Sequence, residues 1–447
     1  MKRLVLLLSL LAVPAAAQQV SIPHTTFTLP NGLRVIVAED HSTPVAAVNV
    51  WYHVGSGYEQ PGRTGFAHLF EHVMFEGSRY VKEGDFDNLL EAAGAWNNGS
   101  TNTDRTNYYE VMPSNAVELA LWLEADRMGG LLDAFNEGKL NGQRDVVKNE
   151  RRERVDNAPY GALGETASAL LYPSGHPYSW STIGSMDDLS AASVEDVSSF
   201  FRRYYAPNNA SLAIVGDVNT AQVRQWVERY FSGIPRGAEV AKPRIPLPQL
   251  AATSYTVKED RVSLPELSMV WRSGPRFSAD EAPLDVMSDI LASGKSSRLY
   301  KRLVYDEQVA VFTQVGNDAR LLAGDVWVRI RAKPDVDLDR IEAAVLEEIA
   351  RIAQTPPTQE EVQRALNGRT TGFVSGLETV AGKADQLNEY LYFTGDAGYA
   401  ERDLARYRAV TPADVQRVAR QYLQGRNHIV ISFVPQGKTA LAAEENQ

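Results

Sequence analysis

The segment TGFAHLFEHVMFEGS places His68 and His72 four residues apart, with Glu71 between them. On a helix that spacing turns both imidazoles to one face, where they can chelate a single ion. Glu71, three residues after His68, can stand beside a metal-activated water without being a ligand, which is where a general base belongs. Phe66, Leu69, Phe70, Val73, Met74 and Phe75 make the helix apolar all round, so it is expected to be buried. Burying two histidines and a carboxylate there costs on the order of several kcal/mol unless they bind something, and a metal is the usual compensation. Composition gives about 447 × (7/447)² × (56/447), or about 0.014, chance occurrences of His-x-x-acid-His, so the spacing is specific. His24, His41, His53 and His176 fall in or near loop patterns and His428 in a strand pattern, where a structural or surface role is expected. Zinc held by two histidines requires a third protein ligand and leaves a fourth position for water.

The elements that must position these residues repeat. SVEDVSSFFRRYYAPNNASLAIV from Ser193 and TPADVQRVARQYLQGRNHIVISF from Thr411 align without a gap at an offset of 218 residues. Asp196, Val197, Arg202, Tyr204 and Asn209 recur as Asp414, Val415, Arg420, Tyr422 and Asn427. Each copy opens on a Ser or Thr helix cap with Asp three residues on, the reciprocal capping arrangement. An amphipathic helix, a turn and a β-branched strand follow in both. Two periods nearly fill the chain, so a duplication is expected. Strand patterns (LRVIVAED, AAVNVWYHV, DVWVRIRA) mix with long helical ones (VELALWLEADRMGGLL, LDRIEAAVLEEIARIA), which predicts an α+β fold of two homologous domains, each a mainly antiparallel sheet with helices on one face. Between them, FSGIPRGAEVAKPRIPLPQL (residues 231–250) carries four prolines and no apolar period. The expected division is a first domain over 18–235, a proline-rich linker over 236–252 and a second domain over 253–447.

Residues 1–17 have Lys2 and Arg3, an apolar run and a small-residue exit at Ala15 and Ala17, the layout of a secretory signal peptide cleaved near Ala17. A periplasmic or secreted protein is therefore expected. No later stretch approaches about 18 consecutive apolar residues, so membrane insertion is not expected. The chain has no cysteine, which excludes disulfides and a lipidated amino-terminal cysteine. The formal net charge of −11 becomes −11 − 2 = −13 once Lys2 and Arg3 are removed, disfavouring nucleic acid and anionic membranes as partners.

HLFEH is the inverted zincin motif H-x-x-E-H. Here the chain resembles the pitrilysin/insulinase family, and within it the two-domain branch that includes the mitochondrial processing peptidase beta subunit. In that family a glutamate on a separate helix, in a pattern like R-x-x-V-x-x-E, is the third metal ligand; the matching positions are Arg144, Val147 and Glu150. Helical spacing is consistent, since Val146, Val147, Glu150 and Arg154 share one face while Glu153 falls on another. GAWNNGSTNTDRTNYYEVMP resembles the family's N-[AG]-x-T-x-x-[DE]-x-T-x-Y segment through Asn98, Gly99, Thr101, Asp104, Thr106 and Tyr108. There it forms an edge strand to which peptide adds, making Asn98 and Gly99 the expected substrate-binding residues. HPYSWSTIG from His176 and NNASLAIVGDV from Asn208 also resemble family segments, and the likeness runs from about residue 27 to about 435.

Two positions depart from the family pattern. Gln143 stands where many relatives carry a glutamate behind the ligands; it can still hydrogen-bond a histidine ring, without the charge that raises ligand basicity. In SSRLYKRLVYDEQVAV, Val304 and Val311 occupy the positions of an Arg and a Tyr that grip the substrate backbone in active relatives, with Arg302 and Tyr305 nearby but out of register. The resemblance thus implies a zinc metallopeptidase with one zinc ion per chain, Glu71 as base and short or unfolded peptides as substrates. It further implies a heterodimer with a related subunit carrying the Arg/Tyr clamp, or otherwise a homodimer. The alternative is a non-catalytic zinc-binding scaffold or peptide-binding subunit of the same fold, against which the intact HLFEH motif argues.

Overall fold

The computed structural model describes residues 20–245 and 249–445. The expected signal peptide lies outside the described residues. The first half contains β1 (Thr25–Thr28), β2 (Arg34–Glu39), β3 (Val45–Tyr52), β4 (Trp96–Thr101), β5 (Thr106–Pro113) and β6 (Ala210–Gly216). These form a sheet in the order β1-β2-β6-β3-β5-β4, antiparallel except where β2 meets β6. Its helices are α1 (Phe66–Val73), α2 (Asp85–Ala92), α3 (Val117–Ala134), α4 (Glu137–Arg151), α5 (Leu163–Leu171), α6 (Met186–Ala191), α7 (Val194–Tyr204) and α8 (Thr220–Phe231). The second half contains β7 (Ser254–Asp260), β8 (Glu266–Ser273), β9 (Ala310–Ala319), β10 (Gly324–Ala332) and β11 (Ile429–Pro435), in the order β7-β11-β8-β10-β9. Its helices are α9 (Glu281–Ala292), α10 (Leu338–Gln354), α11 (Gln359–Gly376), α12 (Val380–Thr394), α13 (Ala400–Arg408) and α14 (Pro412–Val418).

The two strand orders are one topology apart from β1, and β7–β11 is the parallel pair that answers β2–β6. Both expected capping boxes form: Ser193 and Asp196 exchange hydrogen bonds at the start of α7, Thr411 and Asp414 at the start of α14. Each satisfies two amides that a helix start otherwise leaves open. Over 236–252 the described residues form no helix or strand.

Helices on one face of each sheet is only part of the packing. The far face of the first sheet, with Ile36, Ala38, Ala47, Ala213 and Val215, is covered by Val380, Ala384, Leu387 and Leu391 of α12 from the second half. Reciprocally, Leu163, Ala167 and Leu171 of α5 lie on Val270, Ile429, Ile431 and Phe433 of the second sheet. The central strands require it, because β6 is buried at every position and β3 at nearly every one, so an uncovered face would expose a continuous apolar surface. α12 also reaches through the sheet's polar groups: Asp385 accepts from Asn49, Trp51 and Asn107. No helix among the described residues is long and apolar enough to cross a membrane.

Candidate metal centre

α1 begins at Gly65, whose φ of 85° is left-handed and whose added Cβ would sit 2.6 Å from the Ile183 carbonyl oxygen. Glycine offers no capping side chain, and the open amides find one elsewhere. Glu59, fully buried, accepts from Gly65 N at 3.0 Å and Ala67 N at 2.7 Å. Burial pushes its carboxyl well above the usual range, opposed by those two amide bonds. Glu59 was not among the sequence-derived candidates; the signal was a helix start lacking Ser, Thr, Asp or Asn at its cap. Phe66, Leu69, Phe70 and Val73 enter the first core as the apolar pattern predicts, and His68 is buried with them.

α4 packs against α1 through Val147, which is fully buried. Val146, expected to share that burial, is instead 45% exposed, because the buried stripe of α4 is narrower than the 146–147 pair. Glu150, one turn beyond Val147, faces the histidines. His72 Nε2 lies 3.2 Å and His68 Nε2 3.6 Å from its Oε2, and the three donor atoms fall within 4.8 Å of one another. Glu150 Oε1 pairs with Arg154 at 2.6 Å, on the wider helical turn that continues α4, so the two oxygens have separate tasks. Glu153 is exposed on another face.

Electrostatics favour ligation. Burial lowers the His68 pKa to about 4, leaving a neutral ring with a free lone pair near neutrality. The His72 ring above all, then His68 and Arg154, hold the Glu150 carboxyl below its usual range against the opposite pull of burial. Glu150 Oε2 is buried without a hydrogen-bond partner among the described residues. Three electron-pair donors converging with an orphaned oxygen among them fit a divalent ion of the zinc type, with three protein ligands. Among the described residues no other His, Cys, Asp and Glu group converges in this way.

Glu71 is half-buried beside this set and accepts from Thr101 Oγ1 at 2.6 Å. Burial raises its carboxyl, and the Thr101 bond opposes the rise. Asn98 and Gly99 lie on β4, the edge of the sheet, with Asn98 exposed and its Oδ1 accepting from Gly99 N at 2.8 Å. A Cβ at Gly99 would stand 3.1 Å from Glu71 Cγ, so this position also makes room for the glutamate. Gln143, which could bond a histidine ring, donates its amide to the Glu76 carboxylate.

The substrate-clamp positions hold no clamp. Val304 packs half-buried on the second core and Val311 is 48% exposed at the start of β9. Arg302 is committed to Glu307 at 2.8 Å and Glu347 at 2.8 Å, and Arg298 binds Glu361 at 2.7 and 3.0 Å. Among the described residues the second half holds no converging set of this kind. In the second half the guanidinium of Arg369 on α11 pairs with Asp285 and Asp289 of α9, at 3.1 and 2.5 Å.

Two family models match the chain: Insulinase (Peptidase family M16) over residues 34–170, and Peptidase M16 inactive domain over residues 191–369. The zinc protease PqqE of Helicobacter pylori is 30% identical over 97% of this chain and 99% of its own length. A probable mitochondrial-processing peptidase subunit beta of Arabidopsis thaliana is 25% identical over 93% of this chain and 79% of its own. The crystal structure of a protease from Helicobacter pylori superposes with a TM-score of 0.87 at 28% identity, covering 93% of this chain and all of that one (100%). A Pseudomonas fluorescens structure described as a peptidase M16 inactive domain has the same fold, with a TM-score of 0.82 at 18% identity. With its fold, its converging donors and a full-length relative at this identity, the chain belongs to the insulinase, or M16, family of peptidases.

Proposed function

We propose that this protein is an exported zinc metallopeptidase of short or unfolded peptides, and the catalytic member of a two-subunit enzyme. The observation that carries the reading is the convergence of His68, His72 and Glu150 within 4.8 Å, with the Glu71 carboxylate beside them and next to an open sheet edge. His68, His72 and Glu150 hold one zinc ion per chain. When bound, zinc supplies Lewis acidity, which lowers the pKa of a water to about 7 and polarises a carbonyl. Glu71 takes the proton of the attacking water and passes it to the leaving amine, and burial makes its carboxylate a better acceptor for that task. The peptide pairs with β4 as a further strand, displacing the Asn98 side chain from the Gly99 amide. Backbone pairing of this kind gives affinity with little demand on side chains, which suits extended substrates.

Export rests on the layout of residues 1–17, and the partner on the valines at 304 and 311 together with a relative named as a subunit. The rival is a non-catalytic zinc-binding or peptide-binding subunit. A quenched, unstructured peptide assayed with the protein and its partner separates the two. Hydrolysis should fall to background after chelation and return on adding zinc; activity indifferent to chelation would overturn the proposal.

A further inference from the structure

We infer that Thr101 is a positioning residue for Glu71, tying the orientation of the base to the strand that receives the peptide. This deepens the functional reading above and rests on Glu71 being the base. A threonine hydroxyl has one proton to give. Thr101 Oγ1 lies 2.6 Å from Glu71 Oε2 and 3.3 Å from Thr106 Oγ1. Thr106 spends its own proton on the Val54 carbonyl at 2.9 Å, so towards Thr101 its oxygen can only compete as an acceptor. The shorter contact goes to a carboxylate, the stronger acceptor, and takes the proton. One oxygen of Glu71 is thereby fixed, and the other is left to meet the water.

Two further features hold the arrangement. Gly99, two residues before Thr101 on the same face of β4, leaves the space that Glu71 Cγ fills. On the opposite face Ser100 Oγ donates to Asn107 at 2.6 Å, and Asn107 is tied in turn to Asp385 of α12. Arg105 closes the strand end by donating to the Ser100 carbonyl at 2.8 Å. The strand that orients the base is therefore itself held from behind by the second half. A peptide joining β4 and a base hung from β4 share one rigid frame, so their relative placement does not depend on loop motion.

The test uses Thr101→Val, which keeps the shape and removes the donor, and Thr101→Ser, which restores it. Both are assayed in the complete enzyme with its partner and zinc. Thr101→Val should retain zinc and KM while kcat falls about tenfold, with Thr101→Ser close to wild type. Added to Glu71→Gln, Thr101→Val should cost nothing more, since it acts only through that carboxylate. Wild-type kcat in Thr101→Val, a change confined to KM, or an equal further loss in the Glu71→Gln background would each overturn the inference. Wild-type turnover in Glu71→Gln would instead overturn the functional reading beneath it.

Discussion

Glu71→Gln should leave zinc content and folding unchanged while lowering peptide hydrolysis by at least about 10²-fold, the usual scale for losing a general base. The amide oxygen can still accept from Thr101, so the side chain should stay where the 2.6 Å bond now holds it. It is not one of the three converging donors, so the metal set is untouched. What disappears is the capacity to take a proton. His68 is one of the three converging donors and burial keeps its ring neutral, so it is already committed in the proposed site. Measuring kcat and zinc on the same preparation checks this. Turnover near wild type would place the base elsewhere.

The isolated chain should be nearly inactive with its zinc site full, and adding a related subunit that carries an Arg/Tyr pair should restore hydrolysis. Val304 is half-buried in the second core and Val311 offers only a methyl surface, so neither can hold a peptide carbonyl. Arg298 and Arg302 are engaged in ion pairs with Glu361, Glu307 and Glu347. Holding reactants in attack geometry contributes roughly 7–11 kcal/mol at its upper limit, so losing part of that contribution leaves chemistry without turnover. Titrating the partner against a fixed amount of this chain should give saturable activity that Glu71→Gln in this chain abolishes. Full activity from the single chain, unchanged by any partner, would show that the valines do not mark a missing clamp.

The parts of the molecule legible in the sequence are those governed by short-range rules. Ser193 with Asp196 and Thr411 with Asp414 read as capping boxes because cap chemistry is local, and both form. The all-round apolar run of α1 likewise foretells that the helix is buried. Features that depend on long-range partners were not legible. Val146 and Val147 are equally apolar, and only the packing of α4 on α1 decides that one is buried and the other 45% exposed. Gln143 takes Glu76 as partner, a residue 67 positions away that no helical spacing relates to it. The lending of α5 and α12 to opposite sheets follows from strands too apolar to leave a face bare, yet which helix covers them depends on how the two halves meet. Thr101 was visible as a motif residue, but its bond to Glu71 required β4 to be placed against α1.

The central claim is that His68, His72 and Glu150 hold a zinc ion, and metal analysis of the purified chain tests it most directly. Wild-type protein should carry about one zinc per chain, while His68→Ala and Glu150→Gln, each with folding verified by circular dichroism, should lose most of it. Full zinc occupancy in either folded variant would contradict the assignment.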